Sequence, residues 1–282
     1  MGNSTAEEIT MIHELEKARY ESVRVLYRKW RFNNRVNSLI EGYNPGKIYV
    51  DDTETPHTAI AWVKDMFYLA GDETNQDFNE ALDDWIIKVI SPQAQRVGLT
   101  YFAVQSYPLV KWESRIKDVL QHRDLRINNE WKYTFNPEKF TKIQWKDTPT
   151  GISIDRIDEK LLTDPHGAVI LNRQIIPSCG SVSRFIENGV GFCVRRGKTV
   201  ISSCYSVYVT GKVHEIGIDT FDPAHRNCGF AALAARAYID YCGAHGLTPL
   251  WTADEINLPS NALAGKLGFE KVGEYPDYYI VF

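Results

Sequence analysis

Hydrophobic positions change their period along this chain, and the change separates strands from helices. Ile12, Leu15, Tyr20, Val23, Leu26, Tyr27 and Trp30 recur near helical spacing and predict a helix over 7–32. Apolar runs predict strands at 47–50, 57–63, 64–69 and 99–105. Phe78, Leu82, Trp85, Ile86 and Val89 share one helical face, and Pro92 is expected to end that helix. A helix over 109–122 and an aromatic, alternating segment over 125–135 follow. Residues 136–150 hold Pro137 and Pro149 with few periodic apolar positions, which reads as a linker.

The second half begins with a helical signal at 152–162, broken by Pro165, His166 and Gly167. A loop and a short helix are expected up to about Ile186. Strands follow at 190–195, 199–209 and 213–221, with Arg196-Gly197-Lys198 as a hairpin turn. A helix over 229–245 stops at Gly246, then come a strand at 247–253, a short helix over 258–267 ended by Gly268, and a closing strand or strand pair at 269–281. Each half reads strand, hairpin, strand, strand, helix, strand, helix, strand. This predicts an α/β (α+β mixed sheet) architecture in two copies: a domain at 1–135, the linker at 136–150 and a domain at 151–282.

Composition narrows the function. The 282 residues are 44% hydrophobic and 24% charged, an ordinary globular mix. Thirty-two basic against 36 acidic residues leave a net charge of -4, without the basic footprint that nucleic acid requires. No apolar run reaches the ~20 residues of a membrane span. The opening MGNSTAEEIT lacks an apolar core, so no secretory signal is expected, and Ala6 stands where a myristoylation motif after Gly2 wants Ser or Thr. Five cysteines, an odd number without a CxxC pair, fit buried thiols in a reducing cytoplasm rather than a disulfide framework or a metal site. The charge balance is compatible with a cationic small molecule without demanding one; monomer and homodimer are both open, and no metal, nucleic acid or membrane partner is expected.

The chemistry is concentrated in Val213–Phe269. There, a loop Arg226-Asn227-Cys228-Gly229-Phe230-Ala231 lies between a strand and a helix. A glycine-bearing loop at a helix start presents unpaired N–H groups, and the helix dipole adds positive charge, which suits a pyrophosphate. Arg226 can add a charge-assisted contact. The pattern R-x-x-G-x-A after F-D-P-A-H resembles the acetyl-CoA loop of the GNAT acyltransferase superfamily. The run from Asn257 and Ser260 to Lys266-Leu267-Gly268-Phe269 resembles that superfamily's second hallmark. Within it, the E-I-G-I-D-T strand, Trp251 and the S-x-x-L-A-x-K-L-G-F ending are similar to the zwittermicin A resistance acetyltransferase group.

The resemblance implies a GNAT fold over about 150–282, acetyl-CoA as cosubstrate and no metal. It implies that Glu215, on the strand feeding the loop, is the general base, with Asp254 and Glu255 as runners-up that could instead hold a cationic acceptor. A solvated or salt-bridged carboxylate is the alternative for Glu215. Main chain at Thr220 and Phe221 would meet the pantetheine amides. Arg226, Asn227, Cys228, Gly229, Phe230 and Ala231 would bind the pyrophosphate. Asn257 and Ser260 would contact the pantetheine arm or the nucleotide, cap the last helix, or do both. Many relatives carry a proton-donating tyrosine where this chain has Ala264. The place corresponding to the phosphate loop in the first half, Gly71–Asp77, holds three acids and no Arg, so that half is expected to be a degenerate copy without a cofactor. The resulting function is acetyl-CoA-dependent transfer to a primary amine of a small molecule, antibiotic-like amines included, by direct attack in a ternary complex. A protein or peptide N-acetyltransferase and a CoA-binding sensor without catalysis are the alternatives.

Overall fold

Residues 11–282 are described in a computed structural model. Expectations for residues 1–10, including the leader and myristoylation readings and the first turn of the 7–32 helix, lie outside the described residues. In chain order the first elements are β1 (His13–Glu14), a 3-10 turn (Lys17–Val23), α1 (Arg24–Tyr27), α2 (Asn34–Ile40), β2 (Gly46–Val50), β3 (Thr58–Val63) and β4 (Met66–Gly71). Then come α3 (Gln76–Trp85), a π turn (Ile86–Ile90), α4 (Ser91–Arg96), β5 (Tyr101–Tyr107), α5 (Leu109–Val119), β6 (Arg126–Phe135) and α6 (Pro137–Thr141). The remainder comprises β7 (Ile152–Arg156), α7 (Glu159–Thr163), α8 (Ala168–Cys179), α9 (Val182–Asn188), β8 (Gly191–Arg196), β9 (Thr199–Thr210), β10 (Val213–Thr220), α10 (Phe230–His245), β11 (Thr248–Asp254), α11 (Leu258–Lys266) and β12 (Phe269–Val281).

The chain divides into two compact units. The first holds 11–36, 46–128 and 276–282; the second holds 37–45 and 129–275. In the first unit β1, β2, β3 and β4 pair antiparallel in sequence, and β5 joins β4 in parallel. The end of β12 closes that unit, with Tyr278–Val281 antiparallel to β5. In the second unit β7, β8, β9 and β10 pair antiparallel, β11 joins β10 in parallel, and β6 lies antiparallel to β11. Each unit therefore takes one strand from the other half of the sequence. The expected boundary at 135/136 is corrected for this reason. Residues 129–135 are strand of the second unit, and the closing residues are strand of the first. The expected linker opens with a capped helix rather than free chain: Asn136 accepts from Glu138 N and Lys139 N, and Phe140 is buried.

Each unit has its own core. Trp62, Trp85 and Trp112 are buried in the first, with Phe67, Phe78, Phe102 and Tyr278. Trp251, Tyr238, Cys204, Cys242 and Ala264 are buried in the second. A fully buried phenylalanine such as Phe67 contributes roughly 1.5–3 kcal/mol by leaving water.

Four local expectations are corrected. The 7–32 helix is broken, because the sheet takes His13–Glu14 as an edge pair with Val50 and Tyr49. Pro92 does not end its helix, because the π turn at 86–90 resets the ladder and Pro92 falls in the first turn of α4, where its missing N–H costs nothing. The 152–162 signal is strand β7 on β8, followed by α7 capped by Asp158. Two helices, α8 and α9, fill the stretch expected to hold one; Gly180 separates them in the left-handed conformation at φ 84°.

Candidate active site

Strand β10 carries the site. Its pairing with β9 steps from Tyr208 to Ser206 between Glu215 and Ile216, which leaves Val207 as an extra residue in β9. The bulge lies in the partner, so alternation along β10 survives. Glu215, Gly217 and Asp219 share one face, while His214, Ile216 and Ile218 share the other. Val207 fills the place of a Gly217 side chain: a Cβ there would lie 2.1 Å from Val207 Cγ2.

Glu215 is buried, 3% exposed, and its Oε1 accepts from Thr252 Oγ1 at 2.8 Å. Thr252 stands opposite Lys132 of β6, and Asp254 stands opposite Glu130. Directly opposed residues of an antiparallel pair project to the same face, so these four join Glu215 in one polar row. Lys132 Nζ is ion-paired with Glu130 within it, both side chains nearly sealed from solvent. On the opposite face His214 Nδ1 meets Ser206 Oγ at 2.9 Å, and Tyr238 Oη meets the same hydroxyl at 2.9 Å. Burial pushes the His214 pKa down to about 4.

Beyond Glu215 the two parallel strands part. β10 pairs with β11 only over Val213–Glu215, against Thr248–Leu250. Phe221 N donates to Ile201 O at 3.0 Å, toward β9. Ladder alternation therefore turns the main chain of Ile216, Ile218 and Thr220 toward the gap. Of the two expected main-chain contacts, Thr220 faces the opening and the Phe221 N–H faces away.

The gap leads to the start of α10. Asn227 has φ 59° and Gly229 φ 84°, both in the left-handed region. Apart from its own chain neighbours, nothing lies within 4 Å of where a Gly229 Cβ would stand, no side chain caps the helix, and its first turn carries no acid. Arg226, Asn227 and Cys228 are exposed beside it, Phe230 is buried and Ala231 half-buried. The corresponding place in the first unit is closed. Asn75 caps α3 by accepting from Phe78 N, Asp77 sits in the first turn, and β4 stays paired with β5 as far as Ala70 and Tyr107.

A family model described as GNAT acetyltransferase matches residues 24–278. The chain belongs to the GNAT acetyltransferase family. As a member it is an acyltransferase. It is 29% identical over 272 residues to an uncharacterized N-acetyltransferase, YdfB, of Bacillus subtilis (strain 168), over 96% of this chain and 99% of that one. A GCN5-related N-acetyltransferase-like protein from Streptococcus suis 89/1591 shares the fold with TM-score 0.65 at 23% identity, over 94% of this chain and 99% of that one. A tandem GNAT protein from the clavulanic acid biosynthesis pathway does so with TM-score 0.63 at 11% identity, over 96% and 98%.

GNAT acetyltransferases use acetyl-CoA, and the residues here fit it. The uncapped N–H groups and open Gly229 suit a pyrophosphate, and the gap beside Thr220 suits an extended amide-bearing arm. Asn257 and Ser260 are both tied into local structure. Asn257 caps α11 by accepting from Ser260 N, and Ser260 Oγ accepts from Trp251 Nε1 at 3.1 Å. Asp254 is exposed at the end of β11, where its carbonyl receives Asn257 N and Asn261 Nδ2. Glu255 accepts from Asn129. Ala264 is fully buried; Tyr278 belongs to the core of the first unit, and Tyr275 lies 5.8 Å from Lys132 Nζ. Among the described residues no helix is long and apolar enough to cross a membrane, and no group of three His, Cys, Asp or Glu gathers as a metal site.

Sequence reasoning did not single out Thr252, Lys132 or Glu130. The signal was present: within the aromatic segment, Glu130 and Lys132 alternate with Trp131 and Tyr133, which places the charges on one face.

Proposed function

We propose that this chain transfers the acetyl group of acetyl-CoA to a primary amine of a small molecule, antibiotic-like amines included, by direct attack in a ternary complex. The supporting observation is that buried Glu215, held by Thr252, stands where β10 and β11 part, on the path to the open helix start at Gly229. Bound acetyl-CoA supplies the acyl group as an activated thioester. The protein's task is to free the amine lone pair, since a primary amine of pKa ~10 is mostly protonated at neutral pH. Glu215 takes that proton, and the Thr252 hydroxyl fixes the carboxylate in place. Asp254, exposed on the same face, attracts the ammonium form of the acceptor. With Ala264 at the usual tyrosine position, the departing thiolate receives its proton from water or another donor. The first unit, with α3 self-capped and acidic at its start, carries no second cofactor. The E-I-G-I-D-T strand, Trp251 and the closing K-L-G-F motif support grouping with the zwittermicin A resistance acetyltransferases.

Thiol release from acetyl-CoA across a panel of putrescine, spermidine, tryptamine, glucosamine and lysine tests the reading, with Glu215→Gln in parallel. The variant is expected to lose roughly a hundredfold or more in kcat with CoA affinity unchanged. Absence of CoA binding in calorimetry overturns the whole proposal. Unchanged turnover in Glu215→Gln overturns only the base assignment.

A further inference from the structure

We infer that Lys132 and Glu130, on a strand from the first half of the sequence, are positioning residues that set the charge balance around Glu215. This inference deepens the proposed function and rests on Glu215 being its base. The row on the substrate side of β6, β11 and β10 runs Glu130, Lys132, Thr252, Glu215. Lys132 is 2% exposed, Glu130 6% and Glu215 3%. A buried ion pair gives up the hydration of both ions and is a poor way to gain stability, so its presence beside a buried carboxylate calls for another reason.

That reason is electrostatic. Without a cation, Glu130 and Glu215 would be two carboxylates on one sealed face, and like charges there cannot both stay ionised at low cost. One would take up a proton, and a protonated Glu215 accepts none from the amine. Lys132 supplies the compensating charge, while Thr252, opposite it in the ladder, holds Glu215 Oε1. The other groups on the row do not replace it. From β11 comes exposed Asp254, a further anion. From β9 come Tyr208, opposite Glu215, and Tyr205. Asp219 of β10 is engaged by Gln174 of α8 at 2.7 Å, and Tyr275 of β12 offers its ring to Lys132. The first half of the chain thus contributes strand β6 to this row.

The test compares Lys132→Met, Lys132→Arg and Glu130→Gln/Lys132→Met with the wild type. Isotope-labelled glutamate carboxyl resonances are followed by NMR without acetyl-CoA, and pH–rate profiles are recorded with the panel amine turned over fastest. Lys132→Met is expected to show one additional glutamate protonated at neutral pH. Its kcat/KM there falls roughly tenfold or more and recovers as pH rises. The double variant loses the extra resonance and returns the profile to its wild-type shape; Lys132→Arg retains both. A Lys132→Met protein with no protonated glutamate and a wild-type profile overturns the inference, as does a double variant that behaves like the single one. If Lys132→Met does not fold, Glu130→Gln reads the same balance in reverse: the acidic limb of its profile moves to lower pH, and an unmoved limb overturns the inference. Failure of the base assignment is distinguishable, because Glu215→Gln then leaves turnover intact while the NMR signature of Lys132→Met remains.

Discussion

Acidification should remove stability through His214. Its imidazole is 3% exposed, bonded through Nδ1 to Ser206, and burial lowers its pKa from 6.5 to about 4. The folded protein therefore keeps His214 neutral where an unfolded chain would charge it. Below pH 6.5 the unfolded state binds a proton that the folded state refuses. The stability is complete above that value and is lost as pH falls toward about 4. At about 1.4 kcal/mol per pH unit the whole span is worth about 3 kcal/mol, of which about 2 kcal/mol develops between pH 7 and pH 5. The measurement is urea unfolding of wild type and His214→Gln at both pH values. Glutamine keeps a polar partner for Ser206 and cannot titrate, so the carboxylates shared by both proteins cancel in the difference. Wild type should lose about 2 kcal/mol more than the variant on acidification. Equal losses would refute the reasoning, because His214 would then be as easily charged folded as unfolded.

Two further substitutions read the phosphate seat and the short segment of the second unit. Gly229→Val places a β-branched residue at φ 84° on an exposed turn; CoA affinity by calorimetry should fall more than about tenfold, since backbone approach to the anion is lost, and the backbone strain of about 1–3 kcal/mol should lower the melting temperature by a few degrees. Asn44 donates to Ser178 O at 2.6 Å and to Val207 O at 2.8 Å from a buried site. Asn44→Ala leaves both carbonyls without that donor and should cost about 2–4 kcal/mol in denaturant unfolding.

The strands and helices around the site were legible because their signals are local. Gly229 and Gly246 bracket α10 at positions that require a left-handed residue, and both adopt one, at φ 84° and 65°. Alternation along β10 put Glu215, Gly217 and Asp219 on one face, and it held because the bulge arose across the ladder at Val207. The misread segments share a cause. Ile152 and Ile154 fit a strand as well as a helix, and only pairing with β8 decides between them. At Pro92 the expected break disappears because a π turn upstream moves the helix ladder by one residue.

The sequence by itself determined the strands and helices around the site, the glycine-bearing loop with its Arg226 and Gly229, and the acidic helix start in the first half. Those features follow from backbone preference and side-chain chemistry within a few residues of each other. Only the tertiary structure decided that β6 belongs beside β11 and the end of β12 beside β5, because hydrogen bonding between distant strands leaves no local trace. That exchange brings Lys132 and Glu130 to the row that holds Glu215. The surroundings of the candidate base were thus set by strand pairing, from residues more than eighty positions away in the chain.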